Sequence, residues 1–311
     1  MFKIITPINN TVYVEREYSH NKIEETISNS FKAQKEWSSL SVNERVKILK
    51  KFVDDFLSRE SQIIDEITRQ IGRPISQASS ELKGFKERAD YMLEIAEEKL
   101  RVINLPEKQN FKNYIKRIPM GVSFIIAPWN YPYLTAVNAV WPALLAGNTV
   151  ILKHSHQTPL CSERFASAMA RAGVPDGVFQ PLHLSHEGTA ALMQHDDVGF
   201  VAFTGSLAGG LAVQQAMAGR LIGVGLELGG KDPMIILKDS NQRKALEAAL
   251  FGGLMNAGQS CISVENIYVE EVIFEEFKNK ITNKIKNISS GETKNDLISC
   301  IITPQNYAKI N

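Results

Sequence analysis

Residues 121–127 read "GVSFIIA", and the fold turns on how that run is understood. It is a short, continuous apolar run, far below the roughly 20 residues a membrane-spanning helix needs. Such a run reads as a β-strand buried on both faces. The pattern then alternates. A helical stretch follows through "YLTAVNAVWPALLAG" (133–147), then the strand "TVILK" (149–153), then a helix over Pro159–Ala172. The strand "VFQPL" (178–182), a helix over Glu187–Gln194, the strand "VGFVAF" (198–203), a helix after Gly205 and the strand "IGVGLE" (222–227) continue it. Strands alternating with helices predict βαβ units and a parallel, doubly wound sheet. Sheets of that kind bind ligands at the carboxyl ends of their strands.

Upstream, residues 20–100 read as helices. Ile23, Ile27 and Phe31 recur at a spacing of four, and Ser41 with Glu44 forms a capping-box signature ahead of "RVKILKKFVDDFL". Gly72 and Pro74 in "IGRP" break the helical pattern. His20 lies in a polar lead-in and reads as a solvated side chain. Downstream, a second α/β stretch carries the strand "PMIIL", a helix over Gln242–Met255, the strand "ENIYV" and a helix over Val272–Ile288, before a polar, turn-rich tail. No repeat, low-complexity tract or flexible linker separates the parts.

The 311 residues suffice for two domains, and 44% hydrophobic with 22% charged residues is ordinary globular composition. A net charge of +1 without a basic stripe argues against nucleic acid as a partner. Three cysteines, Cys161, Cys261 and Cys300, offer no C-x-x-C pair, so disulfides and structural zinc are not expected. The N-terminus shows no secretory signal, and no apolar run is long enough to span a membrane. The expectation is a cytoplasmic protein with no membrane partner.

Several short stretches can carry chemistry. "FTGSLAGG" (203–210) closes a strand and opens a helix, so Ser206 and the helix-start N–H groups can hold a diphosphate. The spacing is not G-x-G-x-x-G, and on this evidence a plain strand-to-helix turn is the better reading. Lys153 ends another strand, where it can bond ribose hydroxyls or a phosphate or simply be solvated. His154 and His156 lack a third metal ligand, and His183, His186 and His195 show no metal spacing. "APWNYP" (127–132) places Trp129 and Asn130 in an irregular turn; the Asn130 amide can donate to an oxyanion or serve the turn. In "GQSCISVEN" (258–266), Cys261 stands between a glycine turn and a strand. That context suits an accessible thiol activated by nearby backbone dipoles, although a small buried hydrophobe is the commoner cysteine. Glu227, in "LELGGKDP" (226–233), is a carboxylate among glycines and apolar residues.

Taken in order and with their gaps, "PWNYP", "GNTVILK", "FTGS", "LELGGKDP" and "GQSCISVENIYV" resemble the aldehyde dehydrogenase superfamily over nearly the whole chain. The resemblance implies Cys261 as nucleophile, Glu227 as general base and Asn130 as an oxyanion donor beside the backbone N–H of Cys261. It also implies NAD or NADP as cofactor, held by Lys153, Ser155, His156, Gly205, Ser206, Gly210 and Trp129. It divides the chain into a cofactor domain, residues 1–228, with an oligomerisation hairpin near 104–120, and an incomplete second α/β catalytic domain, residues 229–311. The implied partners are a small-molecule aldehyde and further copies of the chain in a homo-oligomer.

Three departures from the family pattern stand out. His156 occupies the position where NAD-using members carry a glutamate, which makes NADP acceptable. Ser299–Cys300 replaces the family's Gly-Pro. The chain stops at Asn311, before the Glu-x-Phe-Gly-Pro motif, so the sequence describes an incomplete chain expected to have little activity alone. The competing readings are a catalytically inactive remnant that binds nucleotide or a partner subunit, and a cysteine acyl transferase or hydrolase. The latter lacks a partner histidine.

Overall fold

The computed structural model describes residues 1–106, 111–289, 291 and 301–302. Cys300 and the Ser299–Cys300 pair lie outside the described residues. The chain divides into two units: Met1–Phe2, Arg16–Glu60 and Glu81–Glu227 form the first, and Lys3–Glu15, Ser61–Ser80 and Leu228–Asn311 form the second.

The chain opens with a hairpin of β1 (Phe2–Ile5) and β2 (Val12–Arg16), which the sequence reading did not anticipate. Its turn is closed by Thr6 N–H to Thr11 O (3.0 Å) and by Asn10 in the left-handed region, at φ 57°. Four helices follow: α1 (Ile23–Ser39), α2 (Val42–Leu57), α3 (Glu60–Ile71) and α4 (Ile75–Leu100). The expected capping box opens α2, with Ser41 accepting from Glu44 N–H and Glu44 accepting from Ser41 N–H. The break at "IGRP" is the gap between α3 and α4. On α1, Ile27 is fully buried but Phe31 is 57% exposed. A strict spacing of four overshoots the helical turn by about 40° per step, so the third residue rotates off the buried face. His20 is exposed, yet its Nε2 accepts from Ser185 N–H at 3.1 Å and its ring stacks on Tyr18, so it has a packing partner rather than water alone.

Within the span expected as a hairpin, β3 (Ile103–Asn104) pairs antiparallel with β4 (Tyr114–Ile115). Then come β5 (Val122–Ala127), α5 (Pro132–Leu145), β6 (Thr149–His154), α6 (Pro159–Ala172), β7 (Phe179–Pro181), α7 (His186–Gln194), β8 (Val198–Gly205), α8 (Leu207–Ala216) and β9 (Gly223–Leu228). The sheet order is β7-β6-β5-β8-β9, and β5 pairs parallel with both β6 and β8. All six residues of β5 are buried, as its unbroken apolar run predicts. On one face, Val122, Phe124 and Ile126 pack with Ile27 of α1, Leu192 of α7 and Val213 of α8. A separate cluster of rings joins Phe52 and Phe56 of α2, Phe85 of α4, Trp141 of α5 and Phe165 of α6. The chain moves outward from β5 to β7, then returns to place β8 on the other side of β5. The switch point therefore falls between the carboxyl ends of β5 and β8, the place where doubly wound sheets open a ligand crevice.

In the second unit, β10 (Asp232–Ile236) pairs parallel with β11 (Val264–Val269), and α9 (Gln242–Leu254) and α10 (Glu271–Lys286) pack on them around Ile236, Ala249 and Phe277. The helix expected to run to Met255 stops at Leu254 and gives way to a 3-10 turn over Met255–Gly258.

Candidate active site

The loop after β5 carries Trp129 and Asn130, both half-buried. Asn130 Oδ1 accepts from Tyr131 N–H at 3.0 Å, which leaves the amide nitrogen as the donor end of the side chain. The loop is braced from two sides. Glu81 of α4, 2% exposed, accepts from Tyr133 N–H (2.9 Å) and Leu134 N–H (3.3 Å) in the first turn of α5. There a carboxylate satisfies helix-start donors and meets the positive end of the helix dipole. His154, at the end of β6, makes a 3.0 Å bond to Pro132 O.

Lys153 lies in register with Ile126 of β5, which is itself in register with Phe203 of β8, so a row at the carboxyl edge joins the three strands. Burial lowers the Lys153 ammonium to about 8. His154 is fully enclosed. Its Nδ1 accepts from Ser155 N–H (3.1 Å) and faces the Thr158 hydroxyl (2.8 Å), so Nε2 is the protonated nitrogen that donates to Pro132 O. Burial pushes His154 down to about 4, against the opposing pull of its bond to Pro132. A depressed histidine takes up its proton in the unfolded chain first. Stability should therefore be intact above about pH 6.5 and fall towards about pH 4, by up to about 1.4 kcal/mol per pH unit for one proton. Thermal melts of the chain and of His154→Gln across that range check this: the variant should show a flatter acid limb, and an unchanged limb would remove His154 as its cause.

Ser155 and His156 follow in the loop after β6. His156 Nε2–H donates to Leu184 O at 2.7 Å, and its ring sits 4.9 Å from that of Phe2 and 6.1 Å from that of His186. Burial, then the nearby Lys153 charge, lowers its proton affinity.

After β8, Ser206 caps α8 by accepting from Gly209 N–H at 3.2 Å, and Gly210 N–H donates to Ser206 O at 2.9 Å. The glycines have a reason the sequence did not disclose. A Cβ at Gly205 or Gly209 would come within 2.6 Å or 2.5 Å of the Phe203 ring, which lies across the loop. Small residues here are needed to seat Phe203, while leaving the helix-start backbone open. Glu227, next to the end of β9, is exposed.

Cys261 is exposed, in a turn just before β11, whereas Cys161 is 1% exposed on α6. The turn before Cys261 contains three consecutive left-handed residues: Asn256 (φ 53°), Ala257 (φ 57°) and Gly258 (φ 72°). For a residue such as Ala257 this conformation costs roughly 1–2 kcal/mol. Asn256 is held by Arg73, which donates from Nε to Asn256 Oδ1 at 3.1 Å, and by Gln77, which accepts from Asn256 N–H at 3.0 Å. A Cβ built on Gly230 would lie 3.8 Å from Cys261 O, so the glycine pair of "LELGGKDP" borders the cysteine turn, and Glu227 precedes Gly230 by three residues. Among the described residues, no group of three or more His, Cys, Asp or Glu could hold a metal, and no helix is long and apolar enough to cross a membrane. Glu81, Arg73, Gln77 and Asn256 were not singled out from the sequence; the one hint was the arginine inside the "IGRP" helix break.

A doubly wound α/β sheet preceded by helices is the fold class, and Cys261 is exposed just after a strained turn. The comparisons supply the family. Residues 1–311 match the aldehyde dehydrogenase family, and the chain belongs to it. It is 31% identical over 277 residues to a D-glyceraldehyde dehydrogenase (NADP(+)) of Picrophilus torridus, covering 88% of this chain and 56% of that protein. It is 36% identical over 248 residues to a 2-hydroxymuconic semialdehyde dehydrogenase of Pseudomonas sp. strain CF600, covering 78% and 51%. A crystal structure of salicylaldehyde dehydrogenase from Pseudomonas putida G7, complexed with salicylaldehyde, superposes with a TM-score of 0.95 at 27% identity, covering 100% of this chain and 66% of that one. The chain thus spans about half the length of the curated relatives it matches.

Proposed function

We propose that the protein carrying this chain oxidises an aldehyde to a carboxylic acid with NAD or NADP, through a cysteine thioester. The observation that carries the reading is the exposed Cys261 at the end of a strained left-handed turn, bordered by the glycines that follow Glu227. Residues 1–228 then act as the cofactor domain and residues 229–311 as part of the catalytic domain. The hairpin near 104–120 serves a homo-oligomer, and the protein works in the cytoplasm.

The cofactor fits the residues present. Lys153, Ser155 and His156 after β6 would meet the adenosine ribose. Gly205, Ser206 and the exposed start of α8 would meet the diphosphate, where helix-start N–H groups favour anions, with Gly210 packed behind them, its N–H already bonded to Ser206 O. Trp129 would close the site beside them. In the reaction, the Cys261 thiolate attacks the aldehyde carbon and a C–S bond forms. Asn130 Nδ2 and the Cys261 backbone N–H donate to the oxygen as it becomes negative. When bound, NAD(P) supplies the hydride acceptor that turns this adduct into a thioester. Glu227 then takes a proton from water, the hydroxide attacks the thioester, and the acid leaves as the thiolate is regenerated.

Glu227→Gln is the direct test, because it keeps the shape and removes the base. Rapid mixing should show a burst of reduced cofactor followed by a slow steady state. Loss of the burst with normal thioester hydrolysis would contradict the role.

His156→Glu should shift cofactor preference towards NAD. A carboxylate there accepts from ribose hydroxyls and repels a 2′-phosphate. Hydrogen bonds to charged groups contribute about 1.5–3 kcal/mol, so the ratio of kcat/KM for the two cofactors should move about tenfold or more. An unchanged ratio would place the ribose elsewhere.

A further inference from the structure

We propose that Arg73 is a positioning residue for Cys261, acting through the Asn256 side chain that brackets the left-handed turn; the inference rests on reading Cys261 as the nucleophile. Arg73 is 1% exposed, and a buried guanidinium is expensive to desolvate. What the arginine adds is direction. A guanidinium only donates, so its Nε bond fixes Oδ1 as the atom of Asn256 that faces it. Nδ2 is thereby turned to Gln259 O, at 3.2 Å, across the turn. Gln259 returns the bracket, donating from Nε2 to Asn256 O at 3.0 Å. Without the bracket, Ala257 gains nothing from its own side chain at positive φ, and the turn can relax towards an ordinary right-handed one even with Gln77 on the Asn256 N–H. That relaxation would re-aim the Gln259–Cys261 backbone, moving the thiol and the Cys261 N–H together. A misplacement of about 1 Å at reacting groups can cost on the order of 10²-fold in rate.

The test compares Arg73→Ala, Arg73→Lys and Asn256→Asp with the parent in the protein that carries this chain. The readouts are iodoacetamide alkylation of Cys261, mapped by peptide mass spectrometry to separate it from Cys161 and Cys300, the melting temperature, and kcat and KM for an aldehyde. Arg73→Ala should lower both the Cys261 alkylation rate and kcat by about tenfold, equal to about 1.4 kcal/mol, with KM little changed. Arg73→Lys, which keeps a donor for Oδ1, should recover most of that loss. Asn256→Asp keeps the acceptor for Arg73 but loses the donor to Gln259 O, and should also fall about tenfold. Arg73→Ala folding normally with parental alkylation and kcat would overturn the proposal. If Arg73→Ala does not fold, parental values for Asn256→Asp would overturn it equally. Should Cys261→Ala retain activity, the nucleophile reading fails; slowed Cys261 alkylation in the Arg73 variants would still support the positioning role.

Discussion

In the protein that carries this chain, replacing Cys261 with alanine is expected to leave no measurable aldehyde oxidation and no acyl adduct, a loss of roughly 10⁴-fold or more, as for other deletions of a covalent nucleophile. The expectation follows from access and geometry. Cys261 is exposed in a turn, while Cys161 is enclosed in the interior side of α6 and cannot meet a substrate without unfolding around it. The substitution itself should be benign to the fold. An exposed turn side chain makes few contacts, and such changes usually stay within about 0.5 kcal/mol. The strained residues Asn256 and Ala257 keep their backbone, so the variant isolates the loss of sulfur from any loss of the turn. Steady-state rates with short aldehydes and each cofactor, and mass spectrometry of acid-quenched enzyme, check this. An acyl group found on Cys161 or Cys300 during turnover would overturn the assignment.

How far the sequence revealed this depends on what holds each part in place. The parallel sheet was legible because burial on both faces leaves an unbroken apolar signature, as in Val122–Ala127. Pro159 and Gly173 likewise punctuate α6 with residues whose backbone limits are local, Gly173 closing it at φ 83°. The N-terminal hairpin was not legible, since its strands are short and only Ile4 among them is fully buried. Nor were the supports of the site. Glu81 reads as one more charge on a long helix, yet it caps α5 some 50 residues later in the chain. Arg73 and Asn256 are 183 residues apart, and no local rule predicts positive φ at an alanine. Gly205 was marked by its place in the strand-to-helix turn, but Gly209 was not singled out, and the ring of Phe203 that both would meet is a tertiary contact. The residues proposed to carry chemistry are thus marked by their immediate neighbours, while the residues that contact their loops and turns are marked only by distant ones.

Asn130→Ala should lower turnover by roughly 10²–10³-fold, or about 3–4 kcal/mol, the scale of deleting one oxyanion donor. Asn130 Oδ1 accepts from the next residue's N–H at 3.0 Å, so truncation releases that local turn bond. The loop keeps its two braces, the Glu81 carboxylate on the start of α5 and His154 on Pro132 O. Thr135 also remains bonded to Tyr131 O through its hydroxyl, at 2.6 Å. Cofactor affinity should therefore barely move, because Lys153 lies on β6 and Ser206 directly follows β8, on either side of the strand that ends at this loop. Asn130→Asp sharpens the test. It is nearly isosteric, but it offers a negative charge where the oxyanion forms, so its turnover should be no better than that of the alanine variant. Single-turnover formation of reduced cofactor, set beside cofactor titration by fluorescence, separates the two effects. A large cofactor-binding defect with normal chemistry would give Asn130 a different role, and an Asn130→Asp variant with near-parental turnover would mean that no negative charge develops beside this side chain.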